Sequence, residues 1–350
     1  MNDMREILET TVEGLLGDAV TPALLRDAEQ GQWAASLWRD VEDAGLTMAA
    51  ISEAAGGAGA SWGEIFALAR SAGRHGPPIP LVETLIGGWL LSTAGLEPVS
   101  GLLAIAAAPD VEGSSAEVTA LLRGVAWGGA CEHLVVLAGR ASPCLMLFAR
   151  SSFTVAAARN IAGEPRDDLS LKASVPLART DWTGDPEALL LAGAMVRSAQ
   201  IAGAIERVLE LATLYANERV QFGRPIGQFQ AVQQTLAQLS TQALLASAAA
   251  EHAFNTADAG LSPFAIATAK ACTSELAGQA ASAAHAVFGA IGITHEHSLH
   301  FTTRRLWSWR SEFGGQGFWS DRLGRQACAA GSAGLWSAIT RGDFKPTVAA

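Results

Sequence analysis

Apolar residues recur every three to four positions through the first hundred residues, which predicts a helical region. In the first segment they share one helix face: Met4, Ile7, Leu8, Val12, Leu15 and Leu16. A second such segment covers Trp33–Val41, and the Gly45 that follows suits the end of a helix. Further helices are expected over Trp62–Arg74 and about Val82–Ala94, because the prolines between them interrupt helical hydrogen bonding.

The pattern changes near Gly101, where short apolar runs replace the helical period. Glycine, proline, serine and aspartate separate these runs, which is typical of strands joined by turns. The runs cover Leu102–Ala107, Val118–Trp127, His133–Leu137, Leu145–Ala149, Phe153–Ala157 and Leu169–Val175. We therefore expect a compact antiparallel β domain in the middle of the chain.

Long alanine-rich helical segments begin near Pro186. In Ser262-Pro263, serine suits the helix cap and proline the first helical position. The segments cover about Pro186–Asn217, Gln230–Ala259, Ser262–Ala290, Ser298–Trp309 and Phe318–Ile339. Such lengths with short connections predict an antiparallel four-helix bundle with a tail. The fold is expected to be mainly α with a small β domain: helical domain 1–98, β domain 99–185 and helical bundle 186–350.

Composition narrows the function classes. With 350 residues, 49% hydrophobic and 17% charged, the chain is globular rather than disordered. A net charge of −10 opposes nucleic-acid binding. The four cysteines lack a CxxC or zinc-type spacing, so neither a disulfide framework nor a metal site is expected. The opening residues MNDMREILET lack an apolar signal core, and we expect a cytoplasmic protein that does not span a membrane.

Two other motifs favour structural roles. Gly57-Ala58-Gly59 begins like a dinucleotide fingerprint, but Trp62 stands where the third glycine would be, so we expect a glycine turn between helices. His295, His297 and His300 surround Glu296 without the HExxH spacing. Hydrogen-bonded histidines are expected there rather than a metal site.

The most informative segment runs from Glu218 to Gln230, with the sequence ERVQFGRPIGQFQ. Its pattern is a helix end, a tight break and a helix start. Arg219 and Arg224 lie near a helix C-terminus, where positive charge is favoured. Composition alone leaves open whether the segment binds a ligand or is only an exposed polar turn between two helices.

Three segments resemble the acyl-CoA dehydrogenase family: ERVQFGRPIGQFQAVQQTLA, AAGGAGASWGEIFALARSAGRHGPPIPLVET and HAVFGAIGITHEHSLHFTTRRLW. They cover both helical domains, while the β domain is similar in position and pattern only. The resemblance implies FAD-dependent α,β-dehydrogenation of an acyl-CoA thioester, with a carboxylate as base, electrons passed to an electron-transferring flavoprotein, and a tetrameric assembly. It also implies that Arg219 contacts the FAD diphosphate across a subunit interface, as a guanidinium fork suits two phosphates. The other implied cofactor contacts are Gln221, Phe222, Gln230 and Gly289.

Several departures from the family pattern bear on mechanism. No TEPxxGSD-like segment is found in the β domain, which looks shortened to about 101–185. The glycine turn has lost its glutamine and one glycine, since Ala286, Gly289, Ala290 and Gly292 stand at the matching positions. Relatives carry the base at one of two places. The first falls on Gly193, which cannot serve, and the second lies within one position of Glu312, our candidate base.

These departures make the chain resemble the shorter subunits of heteromeric acyl-CoA dehydrogenases of bacterial steroid catabolism. In that hypothesis the chain donates Arg219 and its neighbours to a flavin held mainly by a second, related subunit. Two alternatives remain open from the sequence. One is a catalytically silent structural subunit, and the other is a different flavin chemistry on the same fold, such as a nitroalkane oxidase or monooxygenase.

Overall fold

The computed structural model describes residues 3–111, 116–294 and 297–341. Within these ranges the helices are α1 Asp3–Ala19, α2 Pro22–Glu29, α3 Ala35–Asp43, α4 Trp62–His75, α5 Leu81–Thr93, α6 Ala188–Glu218, α7 Gln230–Ala257, α8 Pro263–Phe288, α9 Leu299–Trp309 and α10 Gln316–Arg341. The strands are β1 Leu103–Ala108, β2 Val118–Ala126, β3 His133–Ala138, β4 Cys144–Ala149, β5 Phe153–Ala156, β6 Arg166–Ser174, β7 Ala178–Asp181, β8 Val220–Gln221 and β9 Arg224–Pro225. The expectation of a mainly α fold with a small β domain is confirmed.

Helix α4 shows how local sequence sets the element boundaries. Ser61 accepts a hydrogen bond from the Glu64 amide at 3.3 Å, and the Glu64 carboxylate accepts one from the Ser61 amide at 2.8 Å. This reciprocal pair satisfies two amides that a helix start leaves unpaired. The Gly57–Gly59 segment before it is a packed turn, as expected. A Cβ on Gly57 would lie 2.2 Å from the Ile51 carbonyl oxygen, and Gly59 has φ +62°.

The β region forms two sheets, in the strand orders β1-β3-β4-β7 and β2-β6-β5. The expectation of a wholly antiparallel domain is wrong at one place, because β1 and β3 are parallel. The intervening strand β2 belongs to the other sheet, so the chain crosses over between β1 and β3 instead of making a hairpin. The unbroken apolar run LAIAAA of β1, almost entirely buried, is typical of a parallel strand.

Residue contacts divide the chain into two compact units. The first comprises Met1–Ala72 with Gly76–Gly193, and the second Gly73–His75 with Ala194–Ala350. The three-domain division at residues 98 and 185 stays a prediction. In the second unit α8 packs against α7, α9 and α10. Helix α10 contains the predicted helical segment Phe318–Ile339, and Gly331 interrupts it with φ +66° and ψ 169°.

In the described ranges of the chain, two helical segments are long and apolar enough to cross a membrane by length and composition alone. They are Ala188–Glu218, whose most apolar window is 94% buried inside the protein, and Pro263–Ile293, whose window is 50% buried. Burial inside the protein therefore accounts for the apolar character of α6. The exposed positions of α8 include the polar residues Thr268, Glu275, Gln279 and Ser282.

Candidate functional site

The segment singled out by its sequence is a tight hairpin at the end of α6. Strands β8 and β9 pair through Val220–Pro225 and Gln221–Arg224. At the tip, Phe222 and Gly223 have φ +53° and +80°. Two successive positive φ values are typical of a primed two-residue turn, although phenylalanine adopts this conformation only at a cost. The Ile226 amide donates to the Arg219 carbonyl at 2.8 Å and closes the base of the hairpin.

The side chains of this hairpin point outward. Phe222 is 91% exposed, and Arg219, Gln221 and Gln230 are also exposed. The guanidinium of Arg219 makes no hydrogen bond or ion pair with any of the residues that the structure describes. Arg224 differs, because its guanidinium stacks 4.2 Å above the Phe229 ring. Of the two arginines, Arg219 is therefore the one whose guanidinium is not held against a ring of the described residues.

The glycine turn follows α8. Gly289 has φ +63° and ψ −144°, a conformation that favours glycine, and a Cβ built there would meet nothing within 4 Å. Gly292 is instead a packing position, where a Cβ would lie 2.9 Å from the Cβ of Phe288. The backbone at Gly289 thus faces open space. The structure brings this turn to the end of α6, because Phe288 stacks on Tyr215 at 4.4 Å.

Glu312 lies in an ion pair. Its carboxylate accepts a hydrogen bond from Arg197 Nε at 2.8 Å, and the two side chains are 19% and 3% exposed, respectively. Arg197 also donates to Gln200 and lies 5.5 Å from the Trp309 ring. The candidate base is thus held by a buried guanidinium on α6, one helical turn after Gly193.

A fully buried lysine fixes the segment that carries Glu312. The Lys270 ammonium donates to Ser274 Oγ at 2.9 Å and to three main-chain carbonyls, those of Trp309 at 3.3 Å, Arg310 at 3.0 Å and Gly314 at 2.9 Å. The pKa of Lys270 is lowered to about 7, mainly by burial; the Glu312 carboxylate opposes this shift, and the charges of Arg197 and Arg310 add to it. Sequence reasoning missed both Lys270 and Arg197. The sequence feature that could have identified them is a positively charged residue within an alanine-rich, apolar helix.

The perturbed pKa of Lys270 predicts a pH dependence of stability. The folded-state pKa, about 7, lies below the unfolded value of 10.5. The unfolded chain therefore binds more protons between these values, and stability should rise with pH by up to about 1.4 kcal/mol per unit. Lys270→Met should remove this rise in urea unfolding curves from pH 7 to 9.5, whereas replacing the exposed Lys172 should not. Parallel pH dependences for the Lys270 variant and the wild type would contradict the assignment.

The histidine cluster shows hydrogen bonding. His297 Nδ1 accepts from the Leu299 amide at 3.1 Å, and His300 Nδ1 lies 2.7 Å from the His297 carbonyl oxygen. Burial lowers the pKa of His297, which favours the neutral ring. His295 and Glu296 lie outside the described residues. Among the residues that are described, no three His, Cys, Asp or Glu side chains form a metal-binding group.

Comparison with known proteins fits this architecture. The model of the acyl-CoA dehydrogenase N-terminal domain matches residues 2–99, and that of the C-terminal domain matches residues 187–314. The acyl-CoA dehydrogenase IpdE2 of Mycobacterium tuberculosis is 30% identical over 306 residues, which are 86% of this chain and 90% of that protein.

Solved structures agree. The ChsE4-ChsE5 complex from Mycobacterium tuberculosis matches with a TM-score of 0.83 and 23% identity, over 94% of this chain and 98% of that chain. A variant of the Tcur3481-Tcur3483 steroid ACAD matches with a TM-score of 0.83 and 26% identity, over 92% and 97%. N-terminal helices, middle β-sheets and a C-terminal helical domain define the acyl-CoA dehydrogenase fold. The chain belongs to the acyl-CoA dehydrogenase family.

Proposed function

We propose that this chain is a subunit of a heteromeric, FAD-dependent acyl-CoA dehydrogenase in the cytoplasm that oxidises a steroid-derived acyl-CoA thioester. Two of the similar structures support a paired assembly, since one is a ChsE4-ChsE5 complex and the other a steroid ACAD that combines Tcur3481 with Tcur3483. The acceptor of the electrons, in this proposal, is an electron-transferring flavoprotein.

The exposed hairpin is the observation that carries the proposal. Arg219 stands on a hairpin whose tip residue Phe222 is 91% exposed, so this hairpin cannot by itself enclose a dinucleotide. Cofactor sites usually bury most of the ligand between convergent walls. A second subunit placed over the hairpin would supply the missing walls and cover the aromatic ring. Leu244 and Leu245 on α7, 70% and 52% exposed, add apolar surface that a partner would bury.

The residues present fit one edge of an FAD site. Arg219 would hold the two phosphates with its planar fork, while Gln221 and Gln230 offer amide donors and acceptors beside it. Gly289 would let the main chain approach closely, because no side chain fills the space there. When bound, FAD supplies the acceptor for the hydride that leaves the β-carbon of the thioester.

The base, in this proposal, comes from the partner subunit. Of the two places where the resemblance puts a catalytic carboxylate, the first holds Gly193, and the ion-paired Glu312 lies within one position of the second. Proton abstraction by Glu312 would require its carboxylate to leave the Arg197 guanidinium and reach the substrate. Breaking a pair this buried is costly, because the Arg197 side chain, only 3% exposed, would lose the carboxylate that balances its charge. Glu312 as the base is the competing assignment.

Replacement of Glu312 by glutamine separates the two assignments. In the assembled enzyme we expect Glu312→Gln to leave kcat within about twofold of wild type, because the amide still accepts a hydrogen bond from Arg197. Loss of a general base would lower kcat by about a hundredfold or more. Glu275→Gln, an exposed change on α8, controls for the loss of one negative charge. A drop of the larger size confined to the Glu312 variant would assign the base to this chain.

A further inference from the structure

Three aromatic rings lie between the two parts of the candidate FAD site. The rings of Tyr215 and Phe288 stack at 4.4 Å with an interplanar angle of 20°. His297 packs against Phe288 at 4.5 Å and stands edge-on to Tyr215 at 6.3 Å. These rings come from the end of α6, the end of α8 and the segment before α9. We call them the ring cluster.

The ring cluster is connected directly to both parts of the site. Tyr215 lies one helical turn before Arg219, and the Arg219 amide donates to the Tyr215 carbonyl at 2.9 Å. Phe288 is the last residue of α8 and immediately precedes Gly289. A single stacking contact therefore ties the helix end that carries the hairpin to the helix end that carries the glycine turn.

We infer that Tyr215 is a positioning residue for the cofactor, which through its stack on Phe288 holds Arg219 and the Gly289 turn in one fixed geometry. This inference rests on the proposed function. A dinucleotide that bridges two elements binds tightly only if their spacing is set beforehand, because ordering them during binding opposes affinity. Without the stack, the phosphate-binding fork and the glycine turn would lose a contact that fixes their separation.

The ring, and not the hydroxyl, carries this role. The Tyr215 hydroxyl makes no hydrogen bond to another residue within the described parts of the chain, whereas the ring stacks on Phe288 at 4.4 Å, and stacked aromatic pairs stabilise beyond the area they bury. The neutral state of His297, favoured by burial, suits packing against an aromatic face. Tyr215→Phe should thus behave as wild type, which makes it the matched control for loss of the ring.

The test is FAD affinity, measured by titrating FAD into the flavin-free assembled complex and following flavin fluorescence. Tyr215→Leu should weaken FAD binding about five- to tenfold, and Tyr215→Phe should not. Phe254→Leu, which removes a fully buried ring on α7 away from the hairpin, should lower stability without changing FAD affinity. If the leucine variant does not assemble, Tyr215→Met, which keeps apolar bulk without the ring, takes its place.

The outcomes separate this inference from the proposed function. Wild-type FAD affinity in the Tyr215→Leu complex, or an equal loss in the Phe254→Leu complex, overturns the positioning role. Arg219→Ala measured in the same assay judges the proposed function. If Arg219→Ala loses FAD while Tyr215→Leu keeps it, only the positioning role is wrong. If both variants keep FAD, the assignment of Arg219 and its neighbours to one edge of the FAD site is itself wrong.

Discussion

Arg219→Ala is expected to weaken FAD binding to the assembled enzyme by roughly a hundredfold. A guanidinium fork on a diphosphate makes two charge-assisted hydrogen bonds, each worth about 1.5–3 kcal/mol. Loss of about 3 kcal/mol corresponds to roughly two orders of magnitude in the dissociation constant. Equilibrium titration of the flavin-free complex with FAD measures the effect. Arg219→Lys should recover only part of the affinity, because an ammonium cannot bind two phosphates in the same planar geometry.

The hairpin provides its own control for this substitution. Arg224 lies on the same turn and carries the same charge, but its guanidinium stacks on Phe229. Arg224→Ala should therefore change FAD affinity by much less than Arg219→Ala. Equal losses in the two variants would indicate a nonspecific effect of charge or of hairpin stability and would count against a specific diphosphate contact.

Arg197→Met is expected to lower the free energy of unfolding by about 3 kcal/mol. The substitution removes the guanidinium that is paired with Glu312, whose side chain is only 19% exposed, and so weakens the charge balance around that carboxylate. Removing one member of a buried pair typically costs about 3–5 kcal/mol, and the partial exposure of Glu312 places the value at the lower end. Chemical denaturation of the purified assembly measures the change.

A second arginine on α6 serves as the reference for this effect. Arg207 is 43% exposed and pairs with Glu210 at 3.2 Å, so Arg207→Met should change stability by less than about 1 kcal/mol. Replacing Arg197 and Glu312 together by methionine should be less destabilising than the sum of the two single changes, because neither charge then stays buried without the other. If the stability change of the double variant equals the sum of the two single changes, the two side chains do not stabilise each other.

The helices could be predicted from the sequence because their apolar residues follow the helical period. The start of α8 was placed at Ser262-Pro263, and the Ser262 hydroxyl does accept from the Ala265 amide at 3.3 Å. Helix α2 was missed although it begins with the same kind of signal, with Thr21 as cap and Pro22 at the first position. Its eight residues are too few for a clear apolar period, so the cap was the only evidence for it.

Contacts between distant segments could not be predicted in the same way. Strand β7, with the sequence ARTD, has no apolar run and is recognisable only from its pairing with β4. Arg197 and Glu312 are 115 positions apart, and neither position contains information about the other. The local sequence pattern therefore predicts secondary-structure elements and motifs. The ion pair that decides the role of Glu312 can be seen only in the folded chain.

The flavin content of the purified protein tests the shared site most directly. The chain should be produced alone and together with a second, related acyl-CoA dehydrogenase subunit. We expect the chain alone to retain no stoichiometric FAD and to lack dehydrogenase activity, and the joint preparation to contain bound FAD and to oxidise an acyl-CoA thioester. A stable, fully flavinylated and active homotetramer of this chain alone would contradict the proposal.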